Sequence, residues 1–254
     1  MIKWEGKGGK GMARYANYIF DLYGTLADIR TDEESPAFWR RAAAYFGMHG
    51  APYSAAELKK AYIELCAAEQ AKSPDPLFEL DLTLVFAALY RNKGVRPAKR
   101  LVEETAVAFR LLSTKKLRLY PWAAPVLDEI RAEGSRLFLL SNAQACFTRP
   151  ELKLLGLEGR FDGIALSSEA GVRKPSPRIM RSLLDAYGLD PSDCIMTGND
   201  QRADIALALR FGMDALYIET ETSGGYDPAF AVPREIRGGD CSRIPELLGL
   251  ERKI

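Results

Sequence analysis

The sequence predicts a doubly wound α/β fold: a parallel β-sheet covered by helices on both faces and interrupted by an all-helical insertion. Three observations predict it. An apolar, β-prone run, Tyr18-Ile19-Phe20, stops abruptly at the carboxylate Asp21 and turns at Gly24-Thr25. From about residue 120 onward, short apolar runs alternate with helix-length segments, many of them closed by a glycine. Repeated strand–helix units of this length imply parallel strands buried on both faces. Between these two regions, residues 28–116 carry helical periodicity and no convincing strand.

In order, Ser35-Pro36 has the form of an N-cap followed by proline at the first helical position, and residues 37–46 continue as a helix with Phe38, Trp39, Ala42 and Phe46 on one face. Ser54 with Glu57 three residues on is a capping-box pattern opening a second helix, which Pro74-Asp75-Pro76 terminates. Residues 82–93 and 97–112 complete four consecutive helices. The alternation that follows places strands at 136–140, 163–166, 194–197 and 215–218. Helices are expected at 125–132, near 150–155, at 177–187 and at 203–211, with a loop-like stretch from 219 to 240 and a closing helix at 244–248.

With 254 residues, 47% of them hydrophobic, the chain can form one large or two small globular domains. Thirty-five basic against 34 acidic residues leave a net charge of +1, so nothing marks a nucleic-acid partner. No apolar run approaches a membrane span. Residues 1–16 are expected to be a flexible extension rather than a signal sequence, with Met12 a second candidate start. Cys66, Cys146, Cys194 and Cys241 are scattered, which fits a reducing cytoplasm rather than a zinc or disulfide framework. His49, the single histidine, sits in a helix-terminating Gly-Met-His-Gly loop, so triads and His-ligated metals are disfavoured and the chemistry must rest on carboxylates, Ser/Thr and Lys. In doubly wound sheets, ligands bind beyond the carboxyl ends of the strands. The polar residues at those ends are Asp21, Ser141, Asn142, Asn199 and Asp200, with Lys174 on the loop after a strand.

Those residues carry a recognisable pattern. Asp21-Leu22-Tyr23-Gly24-Thr25-Leu26, Leu139-Leu140-Ser141-Asn142, Lys174-Pro175, and Gly198-Asn199-Asp200 through Asp204 follow one another over residues 17–218. In this the chain resembles the haloacid dehalogenase-like (HAD) hydrolase superfamily. The resemblance implies a Rossmann-like core at 17–27 and 118–254 and an α-helical cap at 28–117, hinged at residues 26–31 and 116–122. It implies a catalytic set of Asp21, Tyr23, Thr25, Ser141, Asn142 and Lys174. Asp21 would be the nucleophile, Ser141 and the Asn142 backbone would hold an anionic oxygen, and Lys174 would neutralise charge. It also implies Mg²⁺ held by Asp21, the Tyr23 carbonyl and Asp200 or Asn199, with Asp204 as a supporting acid, and a small anionic substrate.

Two departures from the family pattern bear on the reaction. Tyr23 stands where the superfamily's phosphatases place a second aspartate; a phenol can donate a proton but is a poor base at neutral pH. Metal-independent 2-haloacid dehalogenases, whose halide leaves without a proton, resemble the chain at this position, and Arg40 or Arg41 would then serve as the substrate-carboxylate arginine. They also tend to carry a tyrosine where this chain has Met180. The acids Asp200 and Asp204 point the other way, since clustered anions are costly in a metal-free pocket. The expectation is therefore a Mg²⁺-dependent phosphohydrolase, with a dehalogenase and a silenced hydrolase core used for binding as alternatives.

Overall fold

The computed structural model describes residues 15–250; the expected N-terminal extension lies almost wholly outside the described residues. The chain opens with β1 (Asn17–Phe20), every residue of which is buried. It passes through β2 (Ala27–Thr31) into four helices, α1 (Pro36–Met48), α2 (Ala55–Gln70), α3 (Leu82–Arg91) and α4 (Lys99–Ser113), and returns through β3 (Thr114–Leu119). There follow α5 (Ala123–Ala132), β4 (Arg136–Ser141), α6 (Ala145–Leu154), β5 (Gly163–Leu166), the short α7 (Ser167–Ala170) and α8 (Pro177–Tyr187). Last come β6 (Cys194–Gly198), a π-helical turn Gln201–Ile205, α9 (Ala206–Arg210), β7 (Asp214–Ile218), β8 (Arg234–Ile236) and α10 (Ile244–Leu248).

The main sheet has six strands in the order β5-β4-β1-β6-β7-β8, all paired in parallel. Because side chains alternate along a strand, Tyr18 and Phe20 of β1 join one apolar layer with Leu137, Leu139 and α5. Ile19 joins the opposite layer with Phe138, Leu140, Met196 and α8. This two-sided burial makes the core strands nearly continuous apolar runs and explains why they were visible in the sequence. A third apolar cluster, around Phe38, Trp39, Phe86 and Phe109, lies among α1–α4. Ser54 forms the expected capping box with Glu57. Ser35 is the N-cap residue of α1 but makes no side-chain cap bond; Asp32 Oδ1 accepts from its backbone N–H at 3.0 Å instead.

Residues 28–116 were expected to lack strands, and here the structure differs. β2 and β3 form a separate antiparallel ribbon, with Asp28 beside Lys116 (2.5 Å) and Arg118 (3.1 Å). Ala27 pairs with Leu119 and Ile29 with Leu117 on one face, and Asp28 meets Lys116 and Arg118 on the other; the alternation is present but contributes only two apolar residues from each strand. β8 falls inside the expected loop 219–240 because it is only three residues long. α6 begins five residues before Pro150, the expected start. Gln144, its N-cap residue, is held by the backbone of residues 80 and 82, so a tertiary contact fixes the helix origin. The expected helix 203–211 divides into the π-helical turn and α9.

The helical insertion is docked against the core. Phe78 pairs with Val172 in an isolated antiparallel bridge, and Arg173 N donates to Leu77 O at 2.7 Å. Gln144 donates to Leu80 O at 2.8 Å and accepts from Leu82 N at 3.0 Å. Phe147 of α6 stacks on Phe109 of α4, with ring centroids 6.5 Å apart.

Candidate active site

The backbone N–H of Asp21 donates to Thr197 O at 2.9 Å, carrying the β1–β6 ladder one residue past the strand. The carboxylate is thus fixed at the sheet edge, in a cavity of about 170 Å³. Its Oδ1 accepts from Lys174 Nζ at 2.7 Å and from Ser141 Oγ at 3.0 Å. Oδ2 carries one longer bond, from Thr25 Oγ1 at 3.2 Å. Gly24, at φ +80°, makes the turn between them. A Cβ there would lie 2.2 Å from Thr222 Oγ1 and 2.3 Å from Asn199 Nδ2, so both the conformation and the space demand glycine.

Lys174 is buried; its ammonium donates to Asp21 and to Leu140 O at 2.8 Å, and it forms an ion pair with Asp204 Oδ1 at 2.6 Å. Burial alone would lower its pKa, but the charges of Asp204 and Asp21 outweigh it and raise it. Asn142 fixes the lysine from behind: its Oδ1 accepts from Lys174 N at 2.7 Å and its Nδ2 donates to Lys174 O at 3.1 Å.

Asp204 is fully enclosed. One oxygen meets Lys174 and the other accepts from Asp200 N at 3.0 Å. Burial pushes its carboxyl up to about 7, against the pull of Lys174. Gly198 leaves room for it, since a Cβ there would sit 2.1 Å from Asp204 Oδ2. Asp200 is exposed and lines the Asp21 cavity, while its Oδ1 caps the π-helical turn through the N–H groups of Arg202 and Ala203. Asn199 donates to Thr222 at 3.0 Å and Thr220 at 3.3 Å, and its Oδ1 accepts from Thr25 at 3.2 Å.

The Tyr23 side chain belongs to a second cluster. Its hydroxyl donates to Glu151 Oε2 in a short contact and lies 3.0 Å from Thr148 Oγ1. The other Glu151 oxygen accepts from Arg110 Nε at 2.7 Å, and this guanidinium lies over the rings of Tyr23 and Phe147. Burial, then the Glu151 charge, raise the Tyr23 phenol far above its ordinary value of 10. Tyr23 and Asn142 also line an adjoining cavity of about 260 Å³ beneath α4, together with Glu79, Arg110 and Gln144.

The structure therefore brings Asp21, Tyr23, Thr25, Ser141, Asn142, Lys174, Asn199 and Asp200 to one sheet edge, with Asp204 packed behind Lys174. Arg40 and Arg41, the arginines considered for a substrate carboxylate, are exposed on α1, away from that edge, and the arginine that lines the adjoining cavity is Arg110. Sequence reasoning also missed Glu151, Thr220 and Thr222. Thr220 and Thr222 directly follow a strand-end run, a position that offered a usable signal; Arg110 and Glu151 sit on helices 41 residues apart, with none.

An α/β sheet with a buried aspartate–lysine pair at its carboxyl edge and a helical insertion over it defines a hydrolase class that family comparison identifies. The family model of the haloacid dehalogenase-like hydrolases matches residues 15–212. The chain belongs to that family and is a hydrolase. Among its relatives is a phosphoserine phosphatase of Thermus thermophilus, 32% identical over 135 residues; the match spans 53% of each chain, about half the relative's length. A glyceraldehyde 3-phosphate phosphatase of Methanopyrus kandleri is 30% identical over 66% of this chain and 72% of its own. Of solved structures, a HAD phosphatase from Thermococcus onnurineus superposes with a TM-score of 0.61 at 22% identity, covering 93% of this chain and 99% of that one. A 2-haloacid dehalogenase from Pseudomonas syringae reaches 0.64, also at 22% identity, covering 92% and 98%. The fold is thus common to both reaction types.

Proposed function

We propose that the protein is a Mg²⁺-dependent phosphohydrolase acting on a small phosphorylated metabolite, with Asp21 as the nucleophile. The observation that carries this reading is the asymmetric treatment of the Asp21 carboxylate: Ser141 and Lys174 hold Oδ1, while Oδ2 has the single longer bond from Thr25. An oriented carboxylate beside a fixed cation can attack phosphorus without being repelled by the substrate's charge. Oδ2 forms a bond to phosphorus as the bond to the leaving oxygen breaks. Water then attacks the aspartyl phosphate and regenerates the carboxylate. Lys174 keeps its charge throughout, and Asn142 keeps the lysine in place through both of its bonds to the Lys174 backbone.

The donor chemistry on the cavity wall suits Mg²⁺. Asp21 and Asp200 supply two carboxylates and Asn199 an amide oxygen, with the Tyr23 carbonyl completing a set of hard ligands. Asp204 pairs with Lys174 through Oδ1 and accepts from Asp200 N through Oδ2, which suits it to support Lys174 and the Asp200 backbone behind the metal set. Among the described residues no three His, Cys, Asp or Glu side chains form a metal cluster. Mg²⁺ is commonly held by one or two carboxylates and otherwise by water and substrate phosphate. When bound, the metal would screen phosphoryl charge next to Asp21. Several relatives are named phosphatases, which favours phosphorus over carbon as the atom attacked.

The test is phosphate release from a general phosphate ester with and without Mg²⁺, with Asp21→Asn as the inactive control. Metal-dependent release that Asp21→Asn abolishes is expected; equal turnover in chelator would overturn the assignment.

A further inference from the structure

Resting on the phosphohydrolase reading, we infer that Thr222 is a phosphoryl-binding residue, whose hydroxyl donates a hydrogen bond to a non-bridging oxygen of the substrate's phosphoryl group. Thr222 lines the Asp21 cavity together with Ser141, Lys174 and Asp200, from a loop that none of the four motifs includes.

That loop is built to hold it there. Glu219 N–H donates to Ile236 O at 2.9 Å, carrying the β7–β8 ladder one residue past the strand, as Asp21 does between β1 and β6. Ser223 N–H then donates to Thr220 O at 3.0 Å, and Ser223 Oγ accepts from Thr220 N at 2.9 Å, which closes a tight turn around Thr222. The turn is fastened to the nucleophile loop, because Thr220 Oγ1 donates to Gly24 O at 2.8 Å. Gly24 completes the fit: Thr222 Oγ1 occupies the space, 2.2 Å away, that a Cβ at this position would need.

The hydrogen bonds of the two threonines make Thr222 a donor. A hydroxyl has one proton and two acceptor sites. Thr222 Oγ1 accepts from Asn199 Nδ2 at 3.0 Å, and Thr220 Oγ1 accepts from the same amide at 3.3 Å. The Thr220 proton lies on Gly24 O, so across the 3.4 Å between the two hydroxyls Thr222 is the donor. That distance is long for a bond between oxygens, and an anionic phosphoryl oxygen in the cavity is the better acceptor. The hydrogen turns from one to the other by rotation about the Cβ–Oγ1 bond, with no movement of the loop.

The position adds something that Ser141 and Lys174 do not. Ser141 ends β4, the neighbour of β1 on one side, whereas Thr222 follows β7, which lies beyond β6 on the other. Phosphoryl oxygens would thus meet donors from both flanks of Asp21. No proton leaves Thr222; its bond stabilises the negative charge on those oxygens while phosphorus passes to Asp21 Oδ2.

The experiment measures binding of inorganic phosphate by calorimetry on the full chain at saturating Mg²⁺, beside turnover of p-nitrophenyl phosphate. Thr222→Val should raise the Kd for phosphate about ten- to a hundredfold, the worth of a hydrogen bond to a charged group, and lower kcat/KM to match. Thr222→Ser should restore both. In an Asn199→Ala background, Thr222→Val should have the same effect again, because the bond runs to phosphate and not through the amide. An effect that vanishes in that background would make Thr222 a support for Asn199 and overturn the inference, as would unchanged phosphate binding in Thr222→Val. Should Asn199→Ala fail to fold, the Mg²⁺ concentration for half-saturation decides instead. It should be the same in Thr222→Val as in the wild type, and a shift would assign the hydroxyl to the metal set and overturn the inference. Each of these results leaves the phosphohydrolase reading standing; a wild type that neither binds phosphate nor hydrolyses the ester overturns both.

Discussion

Two buried ion pairs flank the cavity, and they are built differently. Lys174 and Asp21 both come from the core, at the ends of elements tied to one parallel sheet, and Leu140, Asn142 and Asp204 hold the lysine from that same core. Arg110 and Glu151 come from opposite sides of the junction, one on α4 of the insertion and one on α6 of the core. No residue of the insertion contributes to the first pair. The second requires the insertion docked as it is here, and Tyr23 donates its hydroxyl proton to the second pair although its backbone belongs to the loop that carries Asp21 of the first. An ion pair within the core and an ion pair across the junction therefore meet at one residue.

The comparison can be broken in four places. Asp21→Asn should leave the fold intact and lower phosphate release by about a thousandfold or more, as loss of a nucleophile does; thermal melting alongside the assay separates the two effects. Lys174→Met should cost about 3–5 kcal/mol of stability, because it leaves Asp21 and Asp204 buried without their cation; chemical denaturation measures it. Glu151→Gln and Arg110→Met should each cost less, since both groups stay near the edge of the junction. Their double-mutant cycle should give a coupling of about 0.5–3 kcal/mol, with hydrogen exchange rising at the facing surfaces of α4 and α6 rather than in the sheet. An unaltered exchange pattern would show that closure does not depend on this pair.

The smallest effect concerns Glu79. Burial raises its carboxyl above the ordinary value of 4.5, although Ser167, Arg173 and Gln144 act against this. A carboxyl raised on folding favours the protonated form. Its contribution to stability is therefore complete below about pH 4.5 and is lost as pH rises through the folded value. Glu79→Gln should remove that slope from the melting temperature measured from pH 4 to 8; an unchanged slope would place its origin elsewhere.

Much of the fold was legible because parallel strands buried on both faces leave continuous apolar runs, and each one here ends at a polar residue. Asp21, Ser141 and Asn199 could be placed by that rule alone, before any side-chain geometry was known. What escaped was held by charge or by contact between distant segments. The β2–β3 ribbon joins charge pairs at Asp28 to only two apolar residues per strand, Ala27 and Ile29 against Leu119 and Leu117, too short an alternation to stand out beside four helices. Arg110 looks like any polar residue of an amphipathic helix until α6 brings Glu151 to it. Arg40 and Arg41 carried the better sequence argument yet remain on the exposed face of α1. Tyr23 was visible as an anomaly, but its meaning lay in the partner of its hydroxyl.

The ribbon has a mechanical consequence. Both chain crossings between core and insertion run side by side as β2 and β3, paired from Ala27 with Leu119 through Thr31 with Thr114. Two separate tethers would let the insertion tumble and twist. A paired ladder resists shear and torsion and bends easily about one axis, so the insertion should swing like a door on a strip hinge, returning Arg110 to the same place at every closure.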